Sequence, residues 1–201
     1  MKILNLYSGI GGNRKLWGDE HEITAVEYIP EIARIYGDFF PKDKVVVADA
    51  HQYLLEHYKE FDFIWSSPPC PSHSRVRKAT EHQNAPIFPD MKLYEEILFL
   101  QGYFKGKWVV ENVISWYAPL IPPNKVADHF FWTNFIVRDF SGGGRNHAGK
   151  FKDLQITKGL DISMYKGVDK IKLLRNCVEP ELGKYILDLA INPINLQKSI
   201  F

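Results

Sequence analysis

Apolar and amphipathic segments alternate along the first half of the chain, and this alternation favours a parallel α/β fold. Strands of such a sheet alternate with helices of about ten residues, in βαβ units. The run VVV indicates a strand covered on both faces. We predict a doubly wound, mostly parallel, Rossmann-like sheet with helices on both faces. The predicted strands are KILNLY, EITAVEY, KVVVADA, FDFIWSS and KWVVENV. The predicted helices are PEIARIYGDF, HQYLLEHYKE and MKLYEEILFLQGYF, and SGIGGNRKLW is predicted to be a glycine turn that opens a further helix.

The pattern changes in the second half of the chain. HFFWTNFIV predicts a strand or hairpin, and the glycine-rich, basic RDFSGGGRNHAGK predicts a loop. ELGKYILDLAIN has helical spacing again. We assign residues 1–137 and 173–201 to one domain. Residues 138–172 form a basic excursion that is too short to fold independently.

Length and composition indicate one ordinary globular domain. The 201 residues are 45% hydrophobic and 24% charged. No apolar run approaches the ~20 residues that span a bilayer, so we expect no membrane contact. The N-terminal apolar run breaks into glycines, which indicates a strand and not a signal peptide. Two cysteines make no disulfide framework, which favours a reduced, cytosolic setting.

Charge is concentrated locally, although the net charge is only +1. Between residues 138 and 158, five basic residues stand against two acidic ones. RVRK, at residues 75–78, is a second basic patch. Such patches are typical of phosphate binding, and ordinary solvated surface charge explains either patch alone about equally well.

Unusual polar residues stand at the predicted strand ends. Ligands of a doubly wound sheet bind at the carboxyl ends of its strands, so these residues should share one site. The SGIGG turn lets the backbone approach a ligand, although a tight strand-to-helix turn needs glycines too. Without a following GK[ST], the turn is unlike a triphosphate cradle. The strand-end residues are Ser8 to Gly12, Glu27, Asp49, Cys70, Glu111 and Asn112.

The first three of these positions indicate an adenosine-containing cofactor. Glu27 follows the glycine turn by about twenty residues, where an acid commonly holds ribose hydroxyls. A surface carboxylate is the alternative. Asp49, after the third strand, could hold an adenine amino group.

Cys70 lies in SSPPCPSHS and is a candidate nucleophile. Prolines on both sides fix the backbone and can hold the sulfur in place. A buried packing role is the alternative, and the polar flanks count against it. Glu111 ends an apolar strand, where burial raises the pKa of a carboxyl and makes it a proton donor. A nucleophilic Cys70 beside a protonatable Glu111 suggests that the thiol attacks an electrophilic ring and forms a covalent bond to it.

In this order, NLYSGIGG, VEY, ADA, PPC, ENV and RNCVEP resemble the motifs of the cytosine-5 DNA methyltransferases. The resemblance runs from residue 3 to about residue 116 and resumes from about residue 172 to about residue 190. The chain resembles compact phage or prophage members of this family in its short length and in the segments HFFWTNF and LLRNCVEPELG. The family resemblance implies that the substrate is double-stranded DNA and that the protein acts in the cytoplasm of a bacterium or a phage-infected cell.

The resemblance also implies S-adenosylmethionine as cofactor, with no metal. Tyr7 would lie against the adenine and Tyr28 would pack on it, while Asp49 would hold its amino group. Glu27 would bind the ribose, and Asn176 would close the site. Ser8, Gly9, Gly11 and Gly12 would surround the methionine part.

The implied mechanism is covalent. Cys70 would attack carbon 6 of a cytosine flipped out of the duplex, and Glu111 would bond ring nitrogen 3 and the exocyclic amine. Carbon 5 takes the methyl group, and loss of its proton expels the cysteine. The implied substrate-binding residues are Pro69, Ser74, Arg75, Asn112, Arg145 and Lys150.

The sequence departs from the family pattern at several points. Asn5 stands where an aspartate is usual, and Pro71 replaces a glutamine that helps on the DNA side. No Gln-x-Arg-x-Arg block occurs near residue 129, so His129 or Arg138 would have to help grip the cytosine. Cys177 is expected to be a packing residue.

The stretch left for target recognition, residues 138–172, is short. We expect Arg145, His147 and Lys150 to face phosphate, with short or relaxed sequence specificity or help from a second subunit in a homodimer. Alternatives are a cytosine-5 methyltransferase acting on RNA or a free nucleotide, and a catalytically weak DNA-binding homologue. A redox protein using Cys70 would lack a CxxC motif.

Overall fold

The structure is a computed structural model that describes residues 1–138, 140 and 149–192. Within these residues the chain forms a seven-stranded sheet in the order β3-β2-β1-β4-β5-β7-β6. The strands are β1 Lys2–Leu6, β2 Glu22–Glu27, β3 Lys44–Val47, β4 Phe63–Ser66, β5 Lys107–Val113, β6 Asn124–Val126 and β7 His129–Thr133. The helices are α1 Pro30–Phe39, α2 Ala50–His57, α3 Arg75–Ala79, α4 Lys92–Tyr103, α5 Phe151–Lys158, α6 Lys170–Arg175 and α7 Pro180–Ile191.

The first five strands are parallel, as predicted. β1 pairs with β2 and β4, β2 pairs with β3, and β4 pairs with β5. The order reverses between β1 and β4, and ligand crevices of doubly wound sheets open at such a reversal. The carboxyl ends of all five strands therefore meet at one edge of the sheet.

The last two strands form a hairpin that turns against this direction. β7 pairs antiparallel with β5 and with β6, and the register places Phe131 opposite Glu111 and His129 opposite Val113. The sequence predicted either a single strand or a hairpin for HFFWTNFIV. The structure shows that this segment forms the second strand of a hairpin with β6. Its first strand, the short and polar Asn124–Val126, has no apolar pattern from which it could have been predicted.

Alternating side chains of the strands pack into two hydrophobic core clusters, one on each face of the sheet. Leu4, Leu6 and Ile64 face α2 and α4, while Ile3 and Trp65 face α7. Successive side chains of a strand point to opposite faces, so a sheet covered by helices on both sides needs both sets apolar. Each fully buried side chain of this size contributes about 1.5–3 kcal/mol.

The glycine turn leads into a short 3₁₀ helix, Asn13–Leu16, and not into the predicted α-helix. α7 packs directly on this segment, and the Trp17 indole N–H donates to the Gly183 carbonyl at 3.1 Å. The Asn13 amide also donates to the buried Asn5 Oδ1 at 2.8 Å, which fastens the segment to β1. These long-range contacts replace the longer helix that the local sequence favours.

Part of the stretch predicted as an excursion is packed into a third core cluster. Leu154 of α5, together with Leu160 and Ile162, contacts Ile10 of the glycine turn and Ile35 of α1. The structure describes no helix that is long and apolar enough to cross a membrane among residues 1–138 and 149–192.

Candidate active site

The glycine turn after β1 is held in a strained conformation. Tyr7 and Gly9 both have a φ of 54°, in the left-handed region that residues other than glycine seldom adopt. Two backbone bonds fix the turn: the Ser8 N–H donates to the Val26 carbonyl, and the Gly11 N–H donates to the Ser8 carbonyl, both at 3.0 Å. Strain of this kind persists where the surrounding structure enforces it, often at ligand sites.

The turn fits a bound cofactor. The Ser8 hydroxyl is buried and has no hydrogen-bond partner among the described residues. Buried polar groups are normally satisfied, so this hydroxyl is suited to a ligand. A Cβ added at Gly9 would meet nothing within 4 Å, so open space lies beside the backbone here.

Gly11 and Gly12 are closely packed against neighbouring residues, and their implied contact with the cofactor stays a prediction. A Cβ at Gly11 would collide with the Phe40 ring, and a Cβ at Gly12 would lie 2.6 Å from the Cys177 Cβ. Both glycines are therefore required by packing beneath the turn. Cys177 is buried in the third core cluster, in agreement with its predicted packing role.

Glu27 joins the end of β2 to the glycine turn. Its two carboxylate oxygens accept the backbone N–H groups of Gly9 and Ile29, each at 3.0 Å. A carboxylate has further lone pairs, so both oxygens can still accept ligand hydroxyls.

The remaining predicted cofactor residues lie around this turn with different exposures. Tyr28 is 72% exposed, so its ring is available for stacking. Asp49 caps α2 by accepting the Gln52 N–H at 3.1 Å, and this bond holds the pKa of Asp49 below its ordinary value. Asn176 is exposed at the end of α6.

Cys70 lies in a tight turn after β4 and is partly exposed. The His73 and Ser74 N–H groups both donate to the Cys70 carbonyl at 3.0 Å. Ser74 then caps α3 by accepting the Val76 N–H at 3.2 Å. Burial, and then the charge of Glu111, raise the pKa of the Cys70 thiol. The thiol and this carboxyl therefore interact electrostatically.

Glu111 is buried on β5, and its environment shifts the pKa of its carboxyl upward. Burial raises the pKa of Glu111, while nearby His129 opposes the rise. The His129 Nε2 lies 3.6 Å from the Glu111 Oε1. Of the two residues suggested as replacements for the missing arginine block, His129 is thus beside Glu111. Arg138 is exposed, and its carbonyl accepts the Tyr185 hydroxyl at 3.1 Å.

Asn112 is buried, and its side chain braces the nucleophile turn. Its amide N–H donates to the Pro68 carbonyl at 2.9 Å, and its Oδ1 accepts the Val113 N–H at 3.0 Å. Both ends of the amide are therefore engaged within the protein. The structure thus gives Asn112 a supporting contact with the turn that carries Cys70, and its implied contact with substrate stays a prediction.

The structure describes some, but not all, of the residues that are predicted to face DNA. Pro69 and Arg75 are exposed on either side of the Cys70 turn. Lys150 is exposed directly before α5. Arg145 and His147 lie outside the described residues.

Two groups of residues near the site were not found from the sequence. The first is Glu96 on α4, whose buried carboxylate accepts hydrogen bonds from Tyr7 and Ser66 and lies beside His51. A signal was present, because Glu96 falls at helical spacing with the buried Leu93 and Leu100.

The second group braces the nucleophile turn. The His73 Nδ1 lies 2.6 Å from the Tyr117 hydroxyl, and the Trp116 indole N–H donates to the Ser72 carbonyl at 3.1 Å. Neither contact has a sequence signal, because the partners are 44 residues apart.

The sheet order is that of the Rossmann-like methyltransferase fold, as predicted. A methyltransferase from Entamoeba histolytica has a similar fold, with a TM-score of 0.52 at 9% identity over 95% of this chain and 98% of that chain. Residues 1–98 match the family described as C-5 cytosine-specific DNA methylase. The resemblance seen in the motifs is therefore confirmed for this part of the chain. S-adenosylmethionine is the methyl donor of this class, which confirms the predicted cofactor at the level of the class.

Other solved structures match over shorter stretches. DNMT2 of Spodoptera frugiperda is 28% identical, with a TM-score of 0.42 over 56% of this chain and 35% of that chain. A protein described as a DNA modification methyltransferase from a prophage of E. coli is 18% identical, with a TM-score of 0.40 over 57% of this chain and 32% of that chain. This chain thus spans about a third of the length of either protein. A comparison with curated proteins found no match.

Proposed function

We propose that this protein transfers a methyl group from S-adenosylmethionine to carbon 5 of cytosine in double-stranded DNA. One observation carries the proposal. A partly exposed thiol, Cys70, and a buried carboxyl, Glu111, interact at the same sheet edge as a glycine turn suited to a ligand. The match of residues 1–98 to the C-5 cytosine-specific DNA methylases supports the same chemistry.

The cofactor would lie along the ends of β1, β2 and β3. The Ser8 hydroxyl and the open side of Gly9 suit its methionine part, while Glu27 suits the ribose hydroxyls. The exposed ring of Tyr28 and the carboxylate of Asp49 suit the adenine. When bound, S-adenosylmethionine supplies an electrophilic methyl group.

Cys70 acts as the nucleophile. Its sulfur forms a bond to carbon 6 of a cytosine that has left the base stack, and the ring electrons move toward carbon 5 and nitrogen 3. Burial and Glu111 raise the pKa of the thiol, so the resting form is protonated and gives its proton to water as the bond to carbon 6 forms. Bracing of the turn by Asn112 and by the His73–Tyr117 contact would keep the sulfur aimed at one ring carbon.

Glu111 acts on the ring from the side of β5. In its protonated form it donates a hydrogen bond to nitrogen 3, which accepts the electron density that the attack brings, and burial favours that form. His129, 3.6 Å from the carboxyl, is placed to orient it. Methyl transfer to carbon 5 would leave S-adenosylhomocysteine. Water then takes the proton from carbon 5, the electron pair of that C–H bond restores the double bond between carbons 5 and 6, and the bond between sulfur and carbon 6 breaks to release Cys70 as a thiolate.

DNA would contact the face that carries the Cys70 turn. Exposed basic residues lie there and before α5, among them Arg75 and Lys150. The phosphate backbone dominates affinity for DNA, so these charges would supply binding without sequence information. Sequence specificity would be short or relaxed, or would depend on a second copy of the chain.

The test is mass spectrometry of nucleosides after incubation of the protein with S-adenosylmethionine and unmodified duplex DNA. We expect 5-methylcytosine with the wild-type protein and none with Cys70→Ala. Cys177→Ala is the matched control, because it removes the other thiol away from the proposed chemistry. Product from a folded Cys70→Ala protein would overturn the covalent mechanism. Product on transfer RNA but not on duplex DNA would replace the proposed substrate.

A further inference from the structure

A buried carboxylate on α4 connects three loops of the candidate site. The Glu96 side chain is 0% exposed. Its oxygens accept the hydroxyls of Tyr7 and Ser66, each at 2.5 Å, and the His51 Nδ1 lies 2.9 Å away. The three partners come from the ends of β1 and β4 and from the start of α2. One side chain is thus bonded to segments far apart in the sequence.

The chemistry of this cluster requires an acid at its centre. Hydrogen bonds to an ionised carboxylate are shorter and stronger than neutral ones, and a buried charge is tolerated only when it is bonded in this way. The second ring nitrogen of His51 lies 3.3 Å from Glu95, so the imidazole is placed between two carboxylates. Lys92, on the same helix, pairs with Asp49 at 3.8 Å.

Each loop bonded to Glu96 carries a residue of the proposed reaction. Tyr7 precedes Ser8 and Gly9 and is itself held at a φ of 54°. Its hydroxyl bond fixes the side chain of a residue whose backbone lies in the left-handed region, where strain persists only if the surrounding structure enforces it. Ser66 ends β4 and leads into the turn of Cys70, and His51 follows Asp49 by two residues.

We propose that Glu96 is a positioning residue that holds the cofactor turn and the nucleophile turn in one mutual arrangement. The inference rests on the proposed function and adds to it a residue that contacts neither substrate nor cofactor. Since all the loops share one carboxylate, loss of Glu96 disturbs cofactor binding and the environment of Cys70 together.

The test compares Glu96→Gln with Glu95→Gln in the full chain. Glu95 is the matched control, because it lies on the same helix and contacts His51 but is exposed and bonds neither Tyr7 nor Ser66. Two quantities are measured. Calorimetry gives the Kd of S-adenosylmethionine and S-adenosylhomocysteine, and peptide mass spectrometry gives the rate at which iodoacetamide alkylates Cys70.

We expect Glu96→Gln to weaken cofactor binding by about tenfold, as loss of a charge-assisted hydrogen bond does. Cys70 should be alkylated about three times faster or more, because a loosened turn exposes its thiol. Glu95→Gln should leave both quantities within about twofold of wild type.

Single-contact variants separate positioning from general loss of stability. Tyr7→Phe removes only the bond to the glycine turn, and Ser66→Ala removes only the bond to β4. We expect Tyr7→Phe to act mainly on cofactor Kd and Ser66→Ala mainly on Cys70 alkylation, with circular dichroism confirming that each variant is folded. If Glu96→Gln fails to fold, Tyr7→Phe and Ser66→Ala test whether Glu96 positions the two turns.

Unchanged cofactor Kd and unchanged Cys70 alkylation in folded variants would overturn the inference. Equal losses in Tyr7→Phe and Ser66→Ala on both readouts would also overturn it, since that result indicates general destabilisation. A wild-type protein that binds neither cofactor form would instead overturn the proposed function. Cys70 alkylation would then still decide whether Glu96 holds the nucleophile turn.

Discussion

A thiol and a carboxyl, both partly or wholly removed from water, set the chemistry of the site at the scale of single residues. Burial raises the pKa of Cys70, and the charge of Glu111 raises it further. Burial also raises the pKa of Glu111. A resting thiol that is not readily ionised is less susceptible to oxidation, because the thiolate is the reactive form.

Glu111→Gln should make Cys70 more reactive toward small alkylating agents while it abolishes methyl transfer. Removal of the carboxylate charge lowers the pKa of the thiol, so more thiolate is present at a given pH. Methyl transfer should fall by about 100-fold or more, because the ring loses its proton donor. The pH dependence of iodoacetamide alkylation, read at the Cys70 peptide, measures the first effect.

Cys177 is an internal control in that measurement. Burial raises the pKa of its thiol to about 12, so it should remain unmodified in both proteins. Slower alkylation of Cys70 in Glu111→Gln would contradict the electrostatic interaction between the two groups.

His51 should stabilise the protein in a pH-dependent way. Its hydrogen bond to Glu96 raises the pKa of the folded imidazole above its ordinary value, and burial opposes the rise. The stabilisation is therefore complete below the ordinary pKa of about 6.5 and is lost as pH rises through the higher folded pKa. Glu95, Lys92 and Asp49 are the other charged groups that face this imidazole.

Thermal unfolding of wild type and His51→Asn between pH 5.5 and pH 9 checks this sign. We expect wild type to be more stable by about 1 kcal/mol near pH 6, with the difference shrinking as pH rises. A difference that grows with pH would show that neutral His51 is the bonded form.

At the scale of elements, the loops after β4 and β5 behave as one unit. Ser74 and Ser115 form an isolated antiparallel bridge, and the Trp116 N–H donates to the His73 carbonyl at 3.0 Å. The His73–Tyr117 side-chain contact adds to these backbone bonds. The loop that carries Cys70 is thus bonded along its length to the loop that follows Glu111.

Tyr117→Phe should lower kcat several-fold and leave the Kd of the cofactor unchanged. The change removes the hydroxyl that faces His73, while the proposed cofactor residues lie at or just after the ends of β1, β2 and β3. Single-turnover kinetics with calorimetry separates the two quantities. Tyr103→Phe, at the exposed end of α4, is the matched control and should match wild type. A weakened cofactor affinity with unchanged kcat would contradict this separation.

The sequence was informative about elements and much less so about the contacts between them. The βαβ alternation predicts the parallel strands and hence the common edge on which Glu27, Asp49, Cys70 and Glu111 lie. The bond between Tyr7 and Glu96 joins residues 89 positions apart, and no local pattern encodes such a pairing. The packing role of Gly12 depends in the same way on distant Cys177. Close approach of remote segments thus accounts for what the motifs did not predict.

At the scale of the whole molecule, a buried ion pair fastens α5 to the segment before α7. The Lys158 side chain is 1% exposed, and its ammonium donates to the Glu179 carboxylate at 2.7 Å and to the Cys177 carbonyl at 2.6 Å. Removal of one member of a buried pair is costly, because its partner stays charged in a low dielectric.

Lys158→Met should therefore destabilise the protein by about 3–5 kcal/mol. Urea denaturation measures the change in the free energy of unfolding. Lys184→Met is the matched control, since it breaks an exposed pair with Asp188 on α7 and should cost less than about 1 kcal/mol. Similar small losses in both variants would indicate that the Lys158 pair contributes little.

Arg75→Gln should reduce the salt dependence of DNA binding. A side chain that contacts one phosphate contributes about one unit to the slope of log K against log salt concentration. Fluorescence anisotropy with a labelled duplex at several salt concentrations measures the slope. Arg34→Gln, at an exposed position of α1, is the control and should leave the slope unchanged. An unaltered slope in Arg75→Gln would place the phosphate contacts elsewhere.

The third core cluster also sets a limit on how this protein can be re-engineered. Leu154, Leu160 and Ile162 are built into the same apolar cluster as Ile10, which lies within the glycine turn. Exchange of residues from 138 onward with those of a relative would disturb this cluster, and with it the glycine turn, if the graft extended past residue 151. Grafts that end before α5 would leave this cluster intact, so the useful junction lies near Lys150 and not near residue 172.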